Sequence, residues 1–378
     1  MDIPHIWERP LKRCSGRLEL RHFSSSAGTS RTSHICLGSP RSSFLDFFPR
    51  ELPALVSSQW LIESLFIHEE SNVAMKEPER HPVFLLDATW EEDSAFGGYM
   101  QHYKRGHIPG ATFFDLRALC APPNSRLSCP IPDACAFEHF VSNMGITNKS
   151  HVVTYDSLDC RYAARVWFLF RVFGHERVSV LDGGFRQWVL DGHEVCSEEY
   201  NGSCLPDQTE PQPVLLSPHP THKFKAALQP NVHINFTEMK TLVEKEEVQI
   251  IDCRPELNAN EERLSAASVN LCAMTSSTTS SEFPSLGLIK GAIHMPFINL
   301  FTPEGTYKPE PELLQEFEKA GVDLSVPAVV YSQRGISACT VALAAAICGA
   351  PNMPVYNGSW TEWQALAPHS LIVTGSTI

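Results

Sequence analysis

Two loops in this sequence gather residues able to bind an anion or activate a side chain. One runs from Asp156 to Tyr162, after the run Val152-Val153-Thr154-Tyr155, and the other from Ser332 to Ser337, after Val329-Val330-Tyr331. Each follows a strand-like segment and opens onto a helix-like one, Ala163 to Phe173 in the first case and Ala338 to Ile347 in the second. A helix N-terminus presents backbone N–H groups without intrahelical partners, and these favour negative charge. The second loop reads Ser332-Gln333-Arg334-Gly335-Ile336-Ser337, so Arg334 adds a cation able to hold an anion. The first holds a thiol, Cys160, between Asp159, which opposes a thiolate, and Arg161, which favours one. Cys339, at the start of the second helix, and Cys253, after a strand end, read as core packing.

The elements that must position these loops alternate along the chain. Short β-branched runs such as Val178 to Leu181, Val248 to Ile251 and Ala328 to Tyr331 lie between helical stretches, which predicts an α/β fold with mainly parallel sheets flanked by helices. In such sheets the reactive loops follow the carboxyl ends of strands. The order also repeats. Val83 to Asp87 is echoed by Val248 to Asp252, and Gly106-His107-Ile108-Pro109-Gly110-Ala111 by Gly287-Leu288-Ile289-Lys290-Gly291-Ala292. Val152 to Asp156 is echoed by Val329 to Ser332, and Asp182-Gly183-Gly184 by Asn357-Gly358-Ser359. Four matches in one order predict a duplicated domain. The first copy spans 51–196 and the second 231–370, joined by a Pro-rich extended linker, 197–230. The offset between matches grows within the second copy, which places a Ser/Thr-rich insertion at 265–285. A helix is expected around Val56 to Phe66.

Composition narrows the function classes. The chain has 378 residues and a formal net charge of −13, which argues against a broad phosphate-neutralising face and hence against nucleic acid as a partner. Its longest apolar stretch, Val341 to Ala350, is too short to span a bilayer, so no membrane partner is expected. Twelve cysteines are scattered without a Cys-x-x-Cys pair, which predicts reduced, mostly buried thiols and no zinc site. Residues 1–50 differ from the rest: seven Arg and one Lys stand against four acids, with frequent Ser, the composition of a mitochondrial transit peptide or else of a disordered extension. The chain is expected in mitochondria, or otherwise in the cytoplasm.

Several segments, in their order and spacing, resemble the tandem rhodanese-domain sulfurtransferases, the family of mercaptopyruvate and thiosulfate sulfurtransferases. They are Leu55 to Leu61, Leu86 to Trp90, Gly106 to Asp115, Ala163 to Trp167, Phe173-Gly174-His175, Leu181 to Gly184 and Val355 to Trp363. The resemblance implies two rhodanese-like domains, the first non-catalytic and the second active, with the site at their interface. It also implies a nucleophilic cysteine at the head of the second loop, where this sequence has Ser332; Gly335, Ile336, Ser337, Ala338 and Cys339 fit the family pattern.

That exchange bears directly on the chemistry the family performs. The family reaction passes through an enzyme persulfide, and a serine hydroxyl is far less acidic than a thiol and forms no equivalent adduct. The resemblance places Gln333, Arg334, Gly335, Ile336, Ser337 and Arg254 on the substrate side, and His107 at the interface as a candidate proton-transfer group. The substrate arginines of the mercaptopyruvate branch are not matched: Asn258 stands at one, the insertion replaces the other, and Arg263 is a possible substitute. Two readings follow. In the first, the protein has lost persulfide chemistry and binds a small anionic sulfur compound or a protein partner through the loop. In the second, it is a working sulfurtransferase that moves sulfane sulfur to a thiol or cyanide acceptor through another cysteine, such as Cys160. Neither requires a metal or an organic cofactor.

Overall fold

A computed structural model describes residues 52–70, 82–90, 102–120, 129–197, 223–255 and 287–374. The extension 1–50 and the insertion 265–285 lie outside the described residues, as do Asn258, Arg263 and 198–222 of the linker.

The first unit contains β1 (Leu55–Val56), α1 (Ser58–Glu70), β2 (Val83–Asp87), β3 (Thr112–Phe113), α2 (Leu116–Cys120), α3 (Ala134–Asn143), β4 (His151–Tyr155), α4 (Arg161–Val172), β5 (Val178–Leu181) and α5 (Gly184–Leu190). Its strands pair in parallel in the order β1-β5-β4-β2-β3. The central strand β4 is buried along its whole length, as its continuous apolar run His151-Val152-Val153-Thr154-Tyr155 requires when helices cover both faces.

The second unit contains β6 (His233–Ile234), α6 (Phe236–Lys245), β7 (Gln249–Asp252), β8 (Gly287–Ile289), β9 (Ala292–His294), α7 (Glu310–Ala320), β10 (Ala328–Tyr331), α8 (Ala338–Ile347), β11 (Val355–Tyr356), α9 (Ser359–Leu366) and β12 (Ile372–Thr374). Its main sheet is again parallel, in the order β6-β11-β10-β7-β9, which repeats the first sheet strand for strand. An antiparallel β8–β12 ribbon has no counterpart among the described strands of the first unit.

Helices α4 and α8 pack against each other and join the two units. Helix α8, Ala-Cys-Thr-Val-Ala-Leu-Ala-Ala-Ala-Ile, is apolar on every side, so it is stable only between layers. Its first eight residues are buried, and its alanines leave room for the bulky Trp167, Phe168 and Phe170 of α4. Residues of both units, including Val152, Phe168, Ile251, Val330 and Leu343, share one continuous apolar core.

Two expectations are corrected, and the described part of the linker is placed. Val56 lies in a strand and the helix begins at Ser58; the Ser57 carbonyl and hydroxyl accept the first helical N–H bonds. The described end of the extended linker, 223–230, is attached to the first unit. Phe224 is fully buried, its ring centroid 5.7 Å from that of Phe137 and 5.4 Å from that of His175. The N–H groups of Ala227 and Gln229 bond the carbonyls of Phe173 and Val172 at 3.0 and 2.8 Å. Finally, Cys196 is disulfide-bonded, whereas seven other described cysteines carry free thiols. Phe224→Ala is expected to lower unfolding free energy by about 3 kcal/mol in urea titrations, the cost of a buried aromatic lost with little relaxation. A loose linker would leave the midpoint unchanged.

Candidate functional site

The loop after β10 is fixed on the side facing α9. The Ser332 carbonyl accepts the Trp360 N–H at 3.0 Å, and the Ser332 N–H donates to Ser359 Oγ at 3.2 Å. Thr361 bonds the Gln333 carbonyl through its N–H at 3.1 Å and its hydroxyl at 2.8 Å. Ser359 holds a left-handed backbone conformation (φ +54°) unusual for a residue with a Cβ. Its hydroxyl offsets that strain, because it also donates to the Tyr356 carbonyl at 2.8 Å.

Within the loop, Ser332 is 3% exposed and its Oγ accepts the Gly335 N–H at 2.9 Å. Among the described residues no histidine, carboxylate or amine bonds that hydroxyl to serve as a general base. Gly335 turns the chain at φ +81°, and a Cβ there would lie 2.5 Å from the Asn357 carbonyl oxygen, so only glycine fits. Ile336 is buried, while Gln333, Arg334 and Ser337 are half-buried at the loop rim.

The loop of the first unit has the same frame and a different occupant. Phe185 N–H donates to the Asp156 carbonyl at 3.0 Å, as Trp360 does to Ser332. Asp156 thus occupies the register of Ser332. Its carboxylate accepts N–H bonds from Leu158 and Cys160 at 3.0 Å, from Tyr162 at 3.1 Å and from Ala163 at 2.9 Å. Complete burial pushes its pKa up, helped by Asp159, while those N–H groups pull it down. The net direction is up, and this loop is closed by its own carboxyl group, which takes four backbone N–H bonds. The second loop has a neutral hydroxyl in that position.

Cys160 does not behave as its sequence neighbours suggest. It is buried with φ +65°, and burial, then Asp156, Asp182 and Asp159, push its thiol well above the ordinary value. Arg161, expected to favour a thiolate, instead bonds Asp159 through Nε at 2.6 Å. Cys339 and Cys253 are fully buried; burial holds the Cys339 thiol up at about 11, and that thiol donates to the Gly335 carbonyl at 3.3 Å.

Arg254 is likewise committed to the interior rather than offered to a ligand. Its Nε lies 2.9 Å from Asp252 Oδ1 and its Nη2 2.6 Å from Asp252 Oδ2, and Nη2 also donates to the Gly287 carbonyl at 2.7 Å. Its guanidinium lies 4.7 Å from the Trp360 ring centroid, bracing the residue that holds Ser332. His107 stacks on Tyr103 at 4.0 Å, and its Nδ1 lies 2.8 Å from the Tyr103 carbonyl oxygen. Its backbone pairs with Cys196. These contacts fix the ring in its turn.

Arg165 was assigned no role at the site from sequence. It is completely buried in α4, yet its Nη2 donates to Asn357 Oδ1 and to the Cys129 carbonyl, each at 2.7 Å. Nη1 lies 3.5 Å from the Gly335 carbonyl oxygen, so a side chain of the first unit reaches beneath the loop of the second. A lone arginine inside the apolar run Tyr162 to Phe170 was the available signal, because a buried charge needs a compensating purpose.

Two parallel α/β units of one topology thus place paired strand-to-helix loops on either side of the packed helices α4 and α8, the architecture of a tandem α/β domain protein. A family model for the rhodanese-like domain matches residues 71–191 and 235–366. Thiosulfate sulfurtransferase of Rattus norvegicus is 34% identical over 317 residues, 83% of this chain and 93% of the relative. 3-Mercaptopyruvate sulfurtransferase of Homo sapiens is 31% identical over 331 residues, 86% of this chain and 97% of the relative. The crystal structure of the 3-mercaptopyruvate enzyme SseA from Escherichia coli superposes with a TM-score of 0.56 at 26% identity, covering 82% of this chain and 99% of that one. The chain belongs to the rhodanese-like family and is homologous to its thiosulfate and 3-mercaptopyruvate sulfurtransferases.

Iodoacetamide treatment of the native protein at pH 8, followed by peptide mass spectrometry, is expected to label exposed Cys135 and to leave Cys160, Cys253 and Cys339 unmodified until denaturant is added. Rapid labelling of Cys160 in the folded state would show an accessible thiolate there.

Proposed function

We propose that this protein is a sulfurtransferase homologue that does not carry sulfur on the second loop and instead uses that loop to hold a small sulfur oxyanion of the thiosulfate class. The observation that carries this reading is the Ser332 hydroxyl, which sits at the head of the loop with a backbone N–H as its partner and no base beside it. In the family reaction a thiolate attacks the outer sulfur of the donor; a sulfur–sulfur bond forms to the enzyme and sulfite leaves. Ser332 stands at the position of that thiolate by motif register. A hydroxyl lacking a base stays protonated at neutral pH, so the first bond does not form. The polar backbone of the strand-to-helix turn remains as a set of donors for an anion, with the Arg334 cation at the loop rim. The alternative, turnover through another cysteine, is opposed by the burial of Cys160, Cys253 and Cys339 and the raised pKa of each.

Calorimetric titration with thiosulfate is expected to show saturable binding to the wild-type chain, while an assay of thiosulfate with cyanide shows no turnover. Ser332→Cys is expected to gain thiocyanate formation. Absence of any thiosulfate binding removes the anion reading, and wild-type turnover abolished by Cys160→Ala establishes the alternative. Residues 1–50 are proposed to direct import into mitochondria; an unchanged cellular distribution after their deletion would remove that proposal.

A further inference from the structure

Arg165 is a buried cation with no carboxylate partner among the described residues. Its polar contacts are the Cys129 carbonyl and Asn357 Oδ1 at 2.7 Å, the Gly335 carbonyl at 3.5 Å and the Cys339 sulfur at 3.9 Å, and its Nε is buried without a hydrogen-bond partner. Its electrostatic neighbours are the thiols of Cys129, Cys339 and Cys120. A guanidinium taken out of water loses its hydration, and its two short bonds go to neutral acceptors that bring no opposite charge. A fold that keeps such a charge places it where an opposite charge arrives.

The pseudo-symmetry of the two units shows where. In the first loop the acceptor is built in, as Asp156, and the α8 residue in the register of Arg165, nine positions beyond the head of its loop, is the apolar Val341. In the second loop the built-in group is the neutral Ser332, and a cation is supplied from beneath. Arg165 also orients that loop. With the Gly335 carbonyl turned towards the guanidinium and the Cys339 thiol, the trans peptide directs the following N–H, that of Ile336, the opposite way. Through Asn357, Arg165 fixes the segment against which Gly335 is packed.

We propose that Arg165, supplied by the first domain, is the positioning residue and buried countercharge for an anion held in the loop of the second domain. The non-catalytic copy thereby completes the site of the other. This rests on the anion-binding reading above, and the test separates the two.

In a Ser332→Cys background, the pH dependence of iodoacetamide labelling at position 332, read by peptide mass spectrometry, reports the potential at the loop head without any bound anion. Adding Arg165→Met is expected to raise the pKa of the introduced thiol by about one unit or more, and Arg165→Lys to restore at least half of that shift. Arg165→Gln keeps hydrogen-bond donors but no charge; it serves where the methionine variant does not fold, and the same upward shift is expected. A purely structural arginine would lower the melting temperature while leaving the thiol pKa within about 0.3 units, and that result overturns the proposal. On the Ser332 chain, Arg165→Gln is expected to weaken thiosulfate binding at least about tenfold. A pKa shift without any thiosulfate binding by the wild type upholds the role of Arg165 and refutes the anion reading alone.

Discussion

Where a parallel strand runs into a buried helix, the backbone turns several N–H groups towards one point, and that point must be occupied by an acceptor. Everything at the centre of this protein follows from how each copy meets that demand. Asp156 answers it in the first loop with a carboxylate that takes four N–H groups. Ser332 answers it in the second with a hydroxyl that takes one, from Gly335. The surrounding frame is shared: a carbonyl bonded by an N–H at the start of α5 or α9, a left-handed residue at 184 or 359, and a sheet of the same strand order. One copy is thus closed by its own carboxyl group, while the other carries a hydroxyl above a buried cation.

The two copies depend on each other because α4 and α8 pack face to face and bury the charge between them. Arg165 reaches from α4 to Gly335 and Asn357 of the second unit, and in the other direction the Tyr307 N–H reaches Asp182 of the first. Burial at this interface raises the pKa of Asp182 to about 6. Arg254 acts from the opposite side: anchored to Asp252, it lies over Trp360, and Trp360 bonds the Ser332 carbonyl. The loop is therefore held by side chains that never reach its mouth.

Much of the architecture was legible in the sequence because it rests on periodic burial. Alternating β-branched runs and helical stretches, with four segments matched in order between two copies, point to the paired parallel sheets, and Ala338 to Ile347 marks α8 to the residue. The loops that carry the site were visible for the same reason. What was not legible depended on contacts between distant segments. Arg161 looked like the partner of Cys160 by adjacency, yet its guanidinium is bound to Asp159. Arg254 looked like a ligand-facing cation, yet it is paired to Asp252, two residues away. Arg165 lies in a helical run whose spacing carries no sign of its contacts, since these form only when the second copy packs against the first. Phe224, set among prolines and polar residues, hid an aromatic anchor within an apparent tether.

The central claim is that an oxygen occupies the position from which relatives pass sulfur. Intact-mass spectrometry after incubation with thiosulfate, before and after dithiothreitol, tests it most directly. The wild-type chain is predicted to keep its mass, and the Ser332→Cys variant to gain one sulfur that the reductant removes. A reductant-labile sulfur on the wild-type chain would contradict the account.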